Sequence, residues 1–86
     1  MPVISKFYGI VIRMLYIRPF VSHFHAFYDR SELVVGIAPP RILLGDAPRR
    51  VRLMALEWAR IHQQELLEDW YLLGSARYPI PIAPLD

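Results

Sequence analysis

The chain has no cysteine, only four glycines and no long run of apolar residues. Without cysteine it can form neither a disulfide nor a thiolate metal site. A membrane-spanning helix needs about 18 or more consecutive apolar residues, whereas charged residues interrupt every apolar run in the first half of the chain. These residues are Lys6, Arg13, Arg18, Asp29, Arg30, Glu32 and Arg41. The sequence therefore predicts no association with a membrane.

The start of the chain also lacks the features of an export signal. Met1 and Pro2 are followed by strand-like residues, with no small-residue cleavage site after them. A secretory signal would need a charged start, an apolar stretch and such a site. We therefore expect a cytoplasmic protein.

Charge is nearly balanced, because ten Lys and Arg residues face eight Asp and Glu residues, giving a net charge of +2 at pH 7. That total does not indicate nucleic-acid binding by itself, since phosphate recognition depends on clustering. Apolar residues, in contrast, are abundant and make up 55% of the 86 residues. A chain this short buries only roughly 60–65% of its unfolded surface. We expect one domain, residues 1–86, whose surplus apolar surface associates with a second copy or a small protein partner.

The order of the patterns predicts an α+β fold, in which a small antiparallel sheet of three to four strands packs against one long C-terminal helix. β-branched and aromatic residues separated by turn-forming residues predict the strands. The predicted strands cover residues 7–16, 22–28, 32–37 and 41–44. Residues 17–21 are predicted to be a connection.

A single helix is predicted over residues 47–73, because apolar residues recur at helical spacing without an interior glycine or proline after Pro48. Asp46 is the predicted N-cap and Gly74 the predicted stop. Alternating prolines predict an extended tail over residues 78–86.

Alternation along the strands predicts which residues share each face of the sheet. The face under the helix would carry Ile10, Ile12, Met14, Phe24, Ala26, Leu33, Val35 and Ile37. The opposite face would have Arg13 and Glu32 as its only charges, whereas a solvated sheet face should alternate more cleanly to polar residues. We therefore expect the tail, a second subunit or a partner to cover it. The candidate interface residues are Val11, Leu15, Phe27, Val34 and Leu43.

His23 and His25 stand two residues apart on a predicted strand, so their side chains would lie about 7 Å apart on one side of it. They are candidate metal ligands or general bases, and His62 is a third candidate for catalysis. A zinc site needs a third ligand and usually a fourth, and a general base needs a positioned nucleophile. Since no motif supplies these, the sequence favours packing roles for the histidines. No cofactor is expected, and a catalytic function is left open but not favoured.

A cluster of arginines at the predicted helix start suggests a different site. Cations in a first helical turn oppose the helix dipole, while arginine and helix amides together suit phosphate groups. The alternative is a solvated arginine face. The candidate residues for phosphate or acidic-partner binding are Arg41, Arg49, Arg50 and Arg52.

Fragments in a fixed order along nearly the whole chain resemble the bacterial domain-of-unknown-function family 4160. They include Phe7-Tyr8-Gly9-Ile10, His23-Phe24-His25-Ala26, Glu57-Trp58 and Glu65-Leu66-Leu67. The resemblance implies a bacterial intracellular module whose relatives often accompany a second small domain, family 2442. Such a neighbourhood implies a two-gene pair of the toxin–antitoxin or regulatory kind.

The chain departs from that family just before His23. The family usually carries Asp-His and then Pro-Pro there, whereas this chain has Arg18-Pro19-Phe20-Val21-Ser22. If the family's site used the Asp-His pair, this chain would have lost part of it.

Three functions are therefore carried forward. The leading hypothesis is a protein-interaction or oligomerisation module. The second is nucleic-acid or phosphate binding through the arginines, and the third is a histidine-dependent hydrolase or nuclease.

Overall fold

The computed structural model describes residues 1–17 and 21–86. Within these residues, one antiparallel sheet has the strand order β1-β2-β3-β4-β5, so each strand pairs with its neighbours in sequence. The strands are β1 Val3–Phe7, β2 Ile10–Arg13, β3 His23–Tyr28, β4 Ser31–Ile37 and β5 Pro40–Asp46. Two helices follow, α1 Arg49–Ile61 and α2 Gln63–Gly74. The predicted α+β class with an antiparallel sheet is confirmed. Part of the predicted connection, residues 18–20, lies outside the described residues.

The prediction of three to four strands is wrong, because the sheet has five. The predicted strand 7–16 is instead the end of β1, a two-residue turn and β2. In that turn, Tyr8 has φ 49° and Gly9 has φ 81°. Two-residue hairpin turns favour positive φ at both positions, which Asn-Gly usually signals. Tyrosine rarely adopts this conformation, so the sequence carried no recognisable turn signal and β1 was missed.

The prediction of one long helix is also wrong, since the helix is interrupted at His62, which has φ −108° and ψ 25°. The His62 ring lies 5.5 Å from the ring of Trp58, one helical turn earlier. Directly after the interruption, Gln63 Nε2 donates to the Ile37 carbonyl of β4 at 2.9 Å. Because the Gln63 contact comes from the tertiary structure, no glycine or proline marks the break.

The start of α1 differs from the prediction as well. The N-cap is Pro48, whose carbonyl accepts from the amides of Val51 and Arg52. Asp46 is instead the last residue of β5, and its Oδ1 accepts from the Ala47 amide at 2.9 Å. The predicted stop at Gly74 agrees with the end of α2. In the described part of the chain, no helix combines the length and the apolar character that crossing a lipid bilayer requires.

The core lies between the helices and one face of the sheet. The eight residues predicted for that face are all 1% exposed or less. Trp58 of α1 is completely buried and contacts the rings of Phe24 at 5.5 Å and Phe7 at 5.4 Å. Burying an aromatic side chain of this size stabilises the fold by several kcal/mol, roughly 3–5 by comparison with truncation to alanine.

The C-terminal tail packs on the helix side of the sheet and along β1. Trp58 Nε1 donates to the Ala83 carbonyl at 2.9 Å, and the Ile82 amide donates to the Ile4 carbonyl at 2.8 Å. The Ile82 side chain is buried in the core. The expectation that the tail covers the opposite face of the sheet is therefore wrong.

We expect Gly45→Ala to lower the free energy of unfolding by about 3 kcal/mol. Gly45 has φ +90°, and a Cβ there would lie 2.1 Å from the Glu32 carbonyl oxygen. Urea unfolding followed by tryptophan fluorescence measures the change. Gly36→Ala is the matched control, because its Cβ would meet only ordinary contacts at 3.5 Å or more. Equal effects of the two substitutions would contradict the assignment of strain to Gly45.

Candidate functional site on the outer face of the sheet

The strand register places side chains in rows across the face of the sheet turned away from α1, here called the outer face. One row contains Lys6, Val11, Phe27, Glu32 and Asp46. The next contains Val3, Arg13, His25, Val34 and Leu44. A third, shorter row contains His23, Gly36 and Arg41. The expectation that Arg13 and Glu32 are the only charges of this face is wrong, since Lys6, Arg41 and Asp46 share it.

The candidate interface residues are distributed over this face. Val11, Phe27, Val34 and Leu43 are half-buried, while Leu15 follows β2 and is 41% exposed. None of the five belongs to the buried hydrophobic core.

A β-bulge in β5 enlarges the apolar part of the face. Val34 pairs with Leu44 whereas Val35 pairs with Ile42, so Leu43 is an extra residue in the ladder. A bulge of this kind re-aims side chains next to it. Here it lets Leu43 and Leu44 line the same pocket.

That pocket has a volume of about 380 Å³, within the range of roughly 300–1,000 Å³ that is typical of ligand-binding clefts. It lies over β3, β4 and β5 and beside Ile17 and Val21. Its walls are Ile17, Val21, His23, His25, Val34, Leu43 and Leu44. Among the wall residues that the structure describes, the two imidazoles carry the only ring nitrogens and the other five side chains are aliphatic.

The hydrogen bonds of His25 and His23 define how the two rings are held. His25 Nδ1 lies 2.9 Å from Glu32 Oε2, and because an ionised carboxylate only accepts, Nδ1 carries the hydrogen. His25 Nε2 is buried and has no hydrogen-bond partner among the described residues. His23 Nδ1 donates to the Val21 carbonyl at 2.8 Å, and its ring lies 5.3 Å from His25 and 5.1 Å from Trp70.

The structure brings His23 and His25 together but not His62, which packs on Trp58 at the helix side of the sheet. His62 Nδ1 instead pairs with Glu65 Oε1 at 2.6 Å. Among the described residues, no group of three or more His, Cys, Asp or Glu side chains is arranged to hold a metal ion.

The four candidate arginines do not form one patch. Arg50 donates to the Tyr28 hydroxyl at 3.2 Å and lies 5.7 Å above that ring, and Arg52 Nε donates to the Ala47 carbonyl at 3.2 Å. Arg49 is exposed in the same first turn. Arg41 lies near the other end of β5, about 17 Å from Asp46 at roughly 3.3 Å per residue.

Asp69 of α2 is a buried acid that was not among the predicted site residues. It is only 1% exposed, and its Oδ1 accepts from the Ile80 amide at 2.7 Å. Its Oδ2 has no hydrogen-bond partner in residues 1–17 and 21–86. Burial raises the pKa of Asp69, and the nearby Glu65 and Glu68 raise it further, while the bond from Ile80 acts in the opposite direction. The sequence signal for this burial is that Asp69 lies three residues after the buried Leu66, and residues at this spacing are neighbours on a helix surface.

We expect Glu32→Ala to change the tautomer of His25. With the carboxylate present, the neutral ring carries its hydrogen on Nδ1; without it, the ring is free to take the Nε2–H form that predominates in free histidine. Long-range ¹H–¹⁵N correlation spectra distinguish the two forms. Glu65→Ala is the control, since it removes the partner of His62 and should leave His25 unchanged. An Nε2–H form of His25 in the unmutated protein would contradict the assignment.

For Asp69 we expect the free energy of unfolding to fall as pH rises from about 4 through the raised folded pKa, because the folded state holds this proton more tightly than the unfolded state. Asp69→Asn keeps an acceptor for the Ile80 amide and should remove this component of the pH dependence. Asp69→Ala loses that acceptor and should be less stable than the Asn variant by about 1 kcal/mol. Urea unfolding at several pH values measures both, and an unchanged pH dependence in the Asn variant would refute the role of Asp69.

Comparison with known proteins places these features within a family. No curated protein and no solved structure gives a significant match. The family model described as Domain of unknown function (DUF4160) matches residues 9–71. The matched span includes β2 to β5, α1 and most of α2, and therefore both histidines and all the strands of the pocket. The chain belongs to the DUF4160 family.

Proposed function

We propose that this protein is a protein-interaction module whose outer face binds another protein. The observation that carries the proposal is the apolar pocket of about 380 Å³ on that face, opposite the face that the helices cover. An aliphatic cleft of this kind is a usual binding feature. An apolar side chain of a partner would fill it and remove its walls from water.

The composition of the outer face supports a protein as the ligand. Protein interfaces combine an apolar centre with a polar rim. Val34 and Leu44 lie in the middle row of this face, while Glu32 and Asp46 lie together on one side of that row and Arg41 lies on the other. Leu44 is 67% exposed, so a partner that covers it would remove a large apolar area from water.

The partner that we propose is the product of an adjacent gene, in a pair of the toxin–antitoxin or regulatory kind. The resemblance stated from the sequence motivates this choice, since relatives often accompany a second small domain. The pocket supports it physically, because two small chains that each bury a limited core gain stability by covering one another's apolar surface.

Two features of the site favour binding over the other hypotheses. His25 is hydrogen-bonded to Glu32 and its Nε2 is buried, so the ring has the surroundings of a packed side chain and not those of a general base facing a nucleophile. Arg41 lies near the start of β5, whereas the other three arginines lie in the first turn of α1, beyond the end of β5. This separation argues against one phosphate site shared by all four.

We expect Val34→Lys to abolish co-purification of the adjacent gene's product, because the change places a cation in the wall of the pocket. The two genes are co-expressed with a tag on one product, and complex formation is measured by size-exclusion chromatography with light scattering. A loss of affinity of at least about a hundredfold is expected for a charge in an apolar interface centre.

Leu53→Lys is the matched control, since Leu53 is 51% exposed on α1 and away from the outer face. It should leave the complex intact. The proposal fails if the unmutated chain forms no complex with that product, or if both variants bind as the unmutated chain does. Circular dichroism of the free variants shows that each is folded.

A further inference from the structure

We propose that two copies of this chain pair edge to edge through β5, antiparallel and in one register, with Arg41 of each copy opposite Asp46 of the other. The pairing would join the two sheets into one continuous sheet about a two-fold axis. This pairing goes beyond the proposed function, because it is formed by the backbone edge of β5. The outer face stays available to a different protein.

The two edges of the sheet differ in how they are covered. Along β1, the tail donates from the Ile82 amide to the Ile4 carbonyl and buries the Ile82 side chain against the core. β5 pairs with β4 on one side, and no strand of the described residues pairs with its other side. An unpaired edge presents backbone donors and acceptors to a further strand.

The side chains of β5 are arranged so that the strand matches itself in the antiparallel direction. Register with β4 places Arg41, Leu44 and Asp46 on the outer face, and Ile42 and Gly45 on the inner face. The bulge adds Leu43 to the outer set. Read from either end, residues 41–46 follow the order outer, inner, outer, outer, inner, outer.

This symmetry depends on the bulge. Arg41 and Asp46 are five positions apart, so in a regular strand they would lie on opposite faces. The extra residue, Leu43, returns them to the same face. In an antiparallel pair of β5 strands, Arg41 then meets Asp46 on that face, Ile42 meets Gly45 on the other, and Leu43 meets Leu44 at the centre. Pro40, which has no amide hydrogen to donate, lies outside this segment.

The charges of the segment are complementary in this register. Arg41 is exposed, and its side chain makes no hydrogen bond or ion pair to any described residue. Asp46 stands directly across from Glu32 in the ladder, so two acids are neighbours, an arrangement that is unfavourable in a sheet. The Asp46 side chain is 91% exposed, with Arg52 Nε at 3.8 Å. A second copy would place its Arg41 beside Asp46, on the unpaired side of β5.

The apolar centre of the segment would be covered as well. Leu44 is 67% exposed and forms one wall of the pocket with Leu43. In the paired register, Leu43 of the second copy lies opposite Leu44, so the partner contributes a leucine beside each pocket. The cross-strand contact of two leucines at the centre adds to the two Arg41–Asp46 pairs at the ends.

Exchange of charges tests the register directly. R41D opposes two carboxylates at each end of the paired strands, and D46R opposes two guanidinium groups. Each variant alone should therefore dimerise about tenfold more weakly than the unmutated chain, whereas an equimolar mixture of R41D and D46R should restore a heterodimer of nearly unmutated affinity. Sedimentation equilibrium at low salt gives the dissociation constants.

R49D is the control, because Arg49 is an exposed arginine of α1 outside β5, and it should leave dimerisation unchanged. The inference is overturned if the unmutated chain stays monomeric at millimolar concentration, or if the mixture associates no better than R41D or D46R alone. Val34 is unaltered in both charge variants. An unmutated chain that stays monomeric but binds the adjacent gene's product would refute this inference alone. An unmutated chain that self-associates but does not bind that product would refute the proposed function alone.

Discussion

The packing of Trp58 is the interaction on which the rest of the structure depends. Its completely buried ring joins the sheet to the first helix through Phe7 and Phe24. The same ring lies against His62, where the helix is interrupted, and its indole nitrogen holds the tail at Ala83. Four parts of the chain therefore meet at one side chain, which both buries a large apolar area and forms a hydrogen bond through its one polar atom.

As a result of this arrangement, the two faces of the sheet differ in how far their side chains are covered. α1 and the tail lie on the side of Trp58, whereas Val34, Leu43 and Leu44 lie on the outer face and are not part of the buried core. The bulge at Leu43 concentrates two leucines at one edge of that face. The proposed partner binding and the proposed strand pairing would both cover apolar surface that this core leaves exposed.

The candidate site shows which structural features local sequence patterns can predict and which they cannot. Alternation along β2, β3 and β4 predicted the buried residues of the sheet, and it placed His23, His25 and Val34 together on the opposite side. It could not predict that Leu44 joins Leu43 there, because a bulge changes the alternation without a distinctive residue. Nor could it predict that Asp69 is buried, since the Ile80 amide that Asp69 binds comes from the tail.

The sequence by itself determined the class of fold, the family and the core residues, because these follow from periodicity and from short fragments in order. Tertiary structure decided the fifth strand, the interruption of the helix at His62 and the course of the tail. Each of these depends on contacts between distant residues: positive φ at Tyr8 held by the hairpin it closes, Gln63 bonded to Ile37, and Ile82 bonded to Ile4. Local propensity is weak, on the order of 1 kcal/mol per residue, and such contacts override it.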